Sequence, residues 1–227
     1  MADAEPSQPP GGHRRRGRPP ASAGPGTRER ILAAAQRRFG ELGYSGLSVE
    51  QLARELGLAA RSIYHYFPSK RALFRAATDA VFDDYVAAVA ARVLVPGDLR
   101  RRLHGFVDLY RNLYAERPHV LPFIAVVMLE GIAASRDARR GEPPDQGAFG
   151  AEDLAAIGSA ALAMNRLLVD QAVESGELSR SIGSDAAAAL LQTVGMGLGL
   201  ASLDPDVPFL PMLDALDLLI DGTLLRP

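Results

Sequence analysis

The chain has 227 residues, 48% of them hydrophobic, and a formal charge of -2, which suits one large domain or one small and one larger domain. It has no cysteine, which excludes a disulfide framework and any thiolate metal site and suits a reducing cytoplasm. The near-neutral total hides an asymmetry: Met1 to Arg75 carries 13 Arg and Lys against 6 Asp and Glu, whereas the remainder carries 12 against 21. A basic front and an acidic back suggest that the front meets a polyanion.

Residues 1–26 contain six prolines and five glycines and no helical apolar repeat, so they are expected to be a disordered arm without a secretory signal. Within the arm, HRRRGRPP holds Arg14, Arg15, Arg16 and Arg18. Such an extended basic unit fits a narrow minor groove, and it equally describes a solvated charged tail.

From Thr27 the spacing changes. Ile31, Leu32, Ala35, Phe39 and Leu42 predict a helix with Thr27 as N-cap and Gly43 as its stop, followed by a turn at Tyr44-Ser45-Gly46. Ser48 caps a second helix, with Gln51 at the capping-box position, and Gly57 ends it. A third short helix, Ala60 to Phe67, stops at Pro68; Ser69 caps a long fourth one bearing Leu73, Phe74, Ala77, Val81, Tyr85 and Val89. Three short helices joined by a turn at Glu55-Leu56-Gly57-Leu58 describe a helix-turn-helix.

The remaining chain also reads as helix. Leu99, Leu103, Phe106, Val107, Tyr110, Leu113 and Tyr114 form one stripe, and a further helix runs from Pro118 to about Ser135. A polar break follows from Arg136 to Gly150, then helices over 152–175, 184–203 and 209–225. The expected fold is all-α, with about nine helices: a tri-helical helix-turn-helix over 27–75 and a larger helical domain over 76–227. Ala186 to Leu203 carries no charge, but it is rich in Ala and Gly, with Gln192 and Thr193 in its middle. It reads as a covered helix rather than a membrane span, and Gly195 and Gly199 would admit a second helix, from another subunit or the same chain.

No catalytic constellation emerges. His13, His65, His104 and His119 form no metal-ligand spacing, GMGLG follows no strand, and there is no phosphate loop. His104 and Asp108, one helical turn apart, make an acid–base pair of a kind common on helices by chance. No enzyme activity, cofactor or metal is expected.

In a tri-helical unit the third helix packs one face inward and offers the other to the major groove. Ile63 and Phe67, four apart, share the inner stripe of RSIYHYFPSK; Arg61, Ser62, Tyr64, His65 and Tyr66 occupy the rest. Arg61 is able to read guanine through two hydrogen bonds or simply hold a phosphate. Lys70, the chain's single lysine, stands in the first turn of the fourth helix, where charge and backbone amides can face one phosphate.

ILAAAQRRFGELGYSGLSVEQLARELGLA followed by IYHYFPSKRALF resembles the DNA-binding domain of the TetR family of bacterial transcriptional regulators, from about Thr27 to Phe74. The resemblance implies a homodimer on a double-stranded, near-palindromic DNA operator, most often a repressor released by a small molecule. It places Ala60, Arg61, Tyr64 and His65 near bases, and Ser48, Ser62, Tyr66 and Lys70 near phosphates. Ala59 stands where the family often has a Ser or Thr cap, and Arg61 where many members have a small residue. The C-terminal part agrees only in general plan. Phe106, Tyr110, Tyr114, Phe123, Met128 and Met164 are candidate pocket residues for a hydrophobic ligand, each also readable as core. Leu191, Val194, Gly195, Leu198, Leu213, Leu216 and Ile220 are candidates for a two-fold four-helix interface. A DNA-organising dimer without ligand control is the alternative function, with a small-molecule enzyme more remote.

Overall fold

The computed structural model describes residues 26–140, 151–179, 181 and 183–223. Among them lie nine helices and no strand: α1 (Thr27–Gly46), α2 (Val49–Glu55), α3 (Ala60–Tyr66), α4 (Lys70–Arg92), α5 (Leu99–Glu116), α6 (Val120–Arg140), α7 (Ala151–Glu174), α8 (Ser184–Ala201) and α9 (Phe209–Ile220). Arg14, Arg15, Arg16 and Arg18 of the basic arm lie outside the described residues.

Local chemistry sets most helix ends. Ser48 Oγ accepts from the Gln51 amide at 3.3 Å and donates to Glu50 Oε2 at 2.9 Å, which starts α2. At its far end Leu58 N–H donates to Ala53 O (2.8 Å) and Gly57 N–H to Arg54 O (3.1 Å), a Schellman arrangement that needs the left-handed φ of 69° at Gly57. Ser69 Oγ accepts from the Ala72 amide at 3.0 Å, and Asp98 Oδ1 from the Arg101 amide at 2.8 Å, opening α4 and α5. α1 kinks at Gly43 (φ 72°, ψ 175°), where a stop is expected. Its expected cap is different: Gly26 occupies the cap position, and Thr27 is the first helical residue with its side chain buried.

One other boundary differs from expectation. α6 continues to Arg140, past Ser135, because Ala and Arg sustain a helix even where the surface turns polar. The expected domain boundary between residues 75 and 76 falls inside α4, a single helix of 23 residues.

The core begins in an aromatic knot. Phe39 of α1, Phe74 of α4 and Phe123 of α6 are all fully buried. Their ring centroids lie 4.7 Å (Phe39–Phe74), 5.6 Å (Phe74–Phe123) and 6.4 Å (Phe39–Phe123) apart. Each ring contributes roughly 2–3 kcal/mol through burial. Gln36 Nε2 also donates to Ala77 O at 3.3 Å, tying α1 to α4. These contacts extend one apolar core from α1 into the C-terminal helices.

No single described helix is long and apolar enough to cross a membrane. The uncharged run in α8 packs against its own chain: a Cβ at Gly195 would lie 3.2 Å from Tyr110 Oη and 3.4 Å from Phe106 Cζ of α5. Gly195 thus allows α8 to approach α5 closely within the chain.

Candidate nucleic-acid interface and internal cavity

α3 divides as helical geometry requires. Ile63 and Phe67 are buried beneath it, and the Arg28 guanidinium sits 5.4 Å from the Phe67 ring centroid, covering the edge of that contact. Arg61, Tyr64 and His65 are exposed on the opposite side, whereas Ala60, Ser62 and Tyr66 are half-buried along the margins. His65 and Tyr66 meet edge to face at 5.5 Å. α3 starts at Ala59 with no side-chain cap, as the sequence indicates.

Around this face, two residues are already engaged. Lys70 Nζ donates to Ser45 O at 3.3 Å and lies 4.6 Å from the centroid of the Tyr44 ring. Its half-burial pushes the ammonium pKa down, partly opposed by the Glu130 carboxylate. The Ser48 hydroxyl is held by Glu50, whose carboxyl is lowered chiefly by its own backbone amide and then by Ser48 and Tyr64. Glu50 is a residue the sequence reading missed. Its effect comes from a neighbour two positions away across a helix cap and from Tyr64 in another helix, which no period reveals.

A cavity of about 470 Å³ lies deeper, between α4, α5, α6, α7 and α8. Phe106, Tyr110, Met128 and Met164 line it. Tyr114 and Phe123 do not: Tyr114 stacks on Phe209 of α9 at 4.6 Å, and Phe123 belongs to the aromatic knot. Phe106, Tyr110 and Tyr114 lie four apart along one side of α5, so the spacing alone does not separate the third from the first two. Phe82, Tyr85, Leu162, Asn165 and Gln192 also line it. Of these, Gln192 carried a signal, as a polar residue in the middle of an uncharged helix.

Tyr110 Oη donates to Gly195 O at 3.2 Å, and Tyr85 Oη lies 3.5 Å from Tyr110 Oη. Burial pushes the Tyr110 phenol well above its ordinary value, with Tyr85 adding to the rise. Burial likewise raises Tyr85. Asn165 Nδ2 donates to Gln192 Oε1 at 3.0 Å.

Of the seven candidate interface residues, Leu198 and Leu213 are buried within the chain and the other five are half-buried. Leu198 is 5% exposed and Leu213 fully buried, Leu191 and Gly195 line the cavity, and Val194, Leu216 and Ile220 pack against the core. α8 and α9 bear leucines on several sides, so their sequences do not mark which of them meet the chain's own core. The outward apolar side chains are Leu190 (64% exposed), Leu200, Leu203, Leu210, Leu218 and Leu219. His104 does not pair with Asp108; Asp108 accepts from Arg111 at 2.7 Å, and His104 turns to α9. Among the described residues no group of His, Cys, Asp and Glu could hold a metal ion.

Residues 31–77 match the family model described as bacterial regulatory proteins, tetR family. The chain is 36% identical over 73 residues to the HTH-type transcriptional regulator YezE of Bacillus subtilis, covering 32% of this chain and 38% of that protein. It is 28% identical over 116 residues to the HTH-type transcriptional repressor NicS of Pseudomonas putida, covering 51% and 53%. The chain thus spans about two-fifths to one-half the length of these relatives. Along nearly its whole length the fold is similar to the TetR family regulator PfmR of Thermus thermophilus, with TM-score 0.63 and 25% identity over 87% of this chain and all of that one. The helix-turn-helix geometry, the match of residues 31–77 and this shared architecture make the chain similar, in its N-terminal unit and in its fold, to the TetR family of bacterial transcriptional regulators.

Proposed function

We propose that the chain is a homodimeric, DNA-binding repressor that leaves a near-palindromic operator when a small hydrophobic ligand fills the cavity. One observation carries this reading: α3 holds Arg61, Tyr64 and His65 exposed on its outer face, within the segment that matches the family. In a dimer, two such helices would enter successive major grooves about 34 Å apart. Arg61, with Tyr64, His65 and Ala60, reads bases. Ser48, Ser62, Tyr66 and Lys70 face phosphates, Lys70 turning from Tyr44 and Ser48 from Glu50 as they do so. The basic arm adds contacts to the backbone or minor groove. The unit over 27–75 is the reader, and 76–227 holds the ligand and the dimer contacts.

α4 is the lever. It begins at Lys70 beside α3 and carries Phe82 and Tyr85 into the cavity, about 22 Å along its axis from Lys70 to Tyr85. A ligand that prefers a different α4 position lowers DNA affinity by that difference in preference.

Fluorescence anisotropy with the DNA upstream of the protein's own gene tests the proposal. The dimer should prefer that DNA over random sequence at moderate salt; equal affinity for both would sink specific regulation. Arg61→Ala should relax base preference and cost about 1–3 kcal/mol, whereas Lys70→Ala should weaken all sequences alike. Indistinguishable effects would remove Arg61 from the reading role.

A further inference from the structure

The cavity's few polar groups restrict what can fill it. Its walls are otherwise aliphatic and aromatic, and no Asp, Glu, Lys, Arg or His side chain lines it among the described residues. A phenol has one proton to give. Tyr110 gives its proton to Gly195 O at 3.2 Å, so in the contact with Tyr85 the donor must be Tyr85. That contact, at 3.5 Å, is at the long limit of a hydrogen bond, so the Tyr85 proton is the one most readily surrendered to another acceptor. The Ser159 hydroxyl on α7 and the Asn165–Gln192 amide pair, on α7 and α8, supply the other polar points.

We propose that this cavity selects an uncharged ligand with an apolar body and a carbonyl or hydroxyl oxygen that accepts from Tyr85. At the packing density of a protein interior, 470 Å³ accommodates up to about twenty non-hydrogen atoms. The proposal rests on the cavity being the effector site of the regulator. A carboxylate would lose its hydration with no cation to replace it, at a cost of several kcal/mol. The rings of Phe82, Tyr85, Phe106 and Tyr110 would attract an alkylammonium, but Phe106 and Tyr110 pack on each other at 4.8 Å and no carboxylate is present to neutralise the charge. Accepting the Tyr85 proton also removes the Tyr85–Tyr110 contact between α4 and α5, to which those two residues belong. The ligand's oxygen therefore acts on the helix that carries the reader.

Isothermal titration of the full chain with 2-decanone, decanoate and decyltrimethylammonium, all below micellar concentrations, tests the class. The ketone should bind at least about tenfold more tightly than either ion, a difference of about 1.4 kcal/mol. Tyr85→Phe should weaken the ketone several-fold, and Gln192→Lys should shift the preference toward decanoate. Equal or tighter binding of either ion, no ketone binding up to its solubility limit, or a Tyr85→Phe protein that binds the ketone unchanged would each overturn the proposal. Anisotropy on the same samples separates the two ideas. Specific DNA binding with the wrong ligand ranking removes the ligand class alone, whereas loss of DNA specificity removes the regulator and leaves the ranking to be read independently.

Discussion

At the residue scale, His104 shows how a side chain on one helix is defined by another. Its Nδ1 lies 2.7 Å from Asp217 Oδ1 and its Nε2 3.0 Å from Asp221 Oδ1. A neutral imidazole has one N–H, so both contacts are hydrogen bonds only when the ring is protonated. The Asp217 bond, then the Asp221 bond, raises the His104 pKa. Arg111 and Arg100 also bind these carboxylates, at 2.9 Å to Asp217 and 3.1 Å to Asp221. A raised folded-state pKa gives stability that is complete below the ordinary imidazole value of about 6.5 and is lost as pH rises through the folded value. Urea unfolding should therefore show His104→Gln less stable than the parent near pH 6, with the gap closing toward pH 9. Because the site is partly solvated, the difference should stay below about 1 kcal/mol. The sequence offers His104 only Asp108 as a chance neighbour one turn away, since its partners lie 113 and 117 positions away. By contrast, the division of Tyr64, His65 and Phe67 needed only the angle between successive helical residues.

At the element scale, helix ends follow local chemistry and can be tuned locally. α3 lacks a side-chain cap at Ala59. Ala59→Ser should add about 0.5–1 kcal/mol of stability, seen as a higher unfolding temperature, with the exposed α3 face unchanged. Gly105→Ala should do the opposite. A Cβ there would lie 2.2 Å from Arg92 O, a backbone atom at the end of α4, so the two helices must separate. A loss of about 2 kcal/mol or more is expected in chemical denaturation. The starts of α2 and α4 were legible because a serine and an amide three residues on suffice to define them. The end of α6 was not, because RDARR is as polar as a loop but retains good helix formers.

At the scale of the whole molecule, we propose that the outward apolar residues of α8 and α9 belong to the two-fold surface together with the half-buried residues of the same helices. Leu190 is 64% and Leu218 47% exposed, with Leu200 and Leu210 also exposed on the same two helices. Replacing both Leu190 and Leu218 with Glu should shift the protein from dimer to monomer in sedimentation analysis and weaken operator binding, while the circular dichroism spectrum stays helical. A dimer that persists would place the two-fold surface elsewhere. The sequence by itself determined the all-α class, the tri-helical reader and the exposed face of α3, because helical period, caps and glycine stops act within a few residues. Tertiary structure alone decided the cavity walls, the Tyr85–Tyr110–Gly195 chain, the His104 pairing and the outward face of α8. Those depend on which residues of helices far apart in sequence turn toward one another, and a largely uncharged helix such as α8 carries little mark of its own inner face.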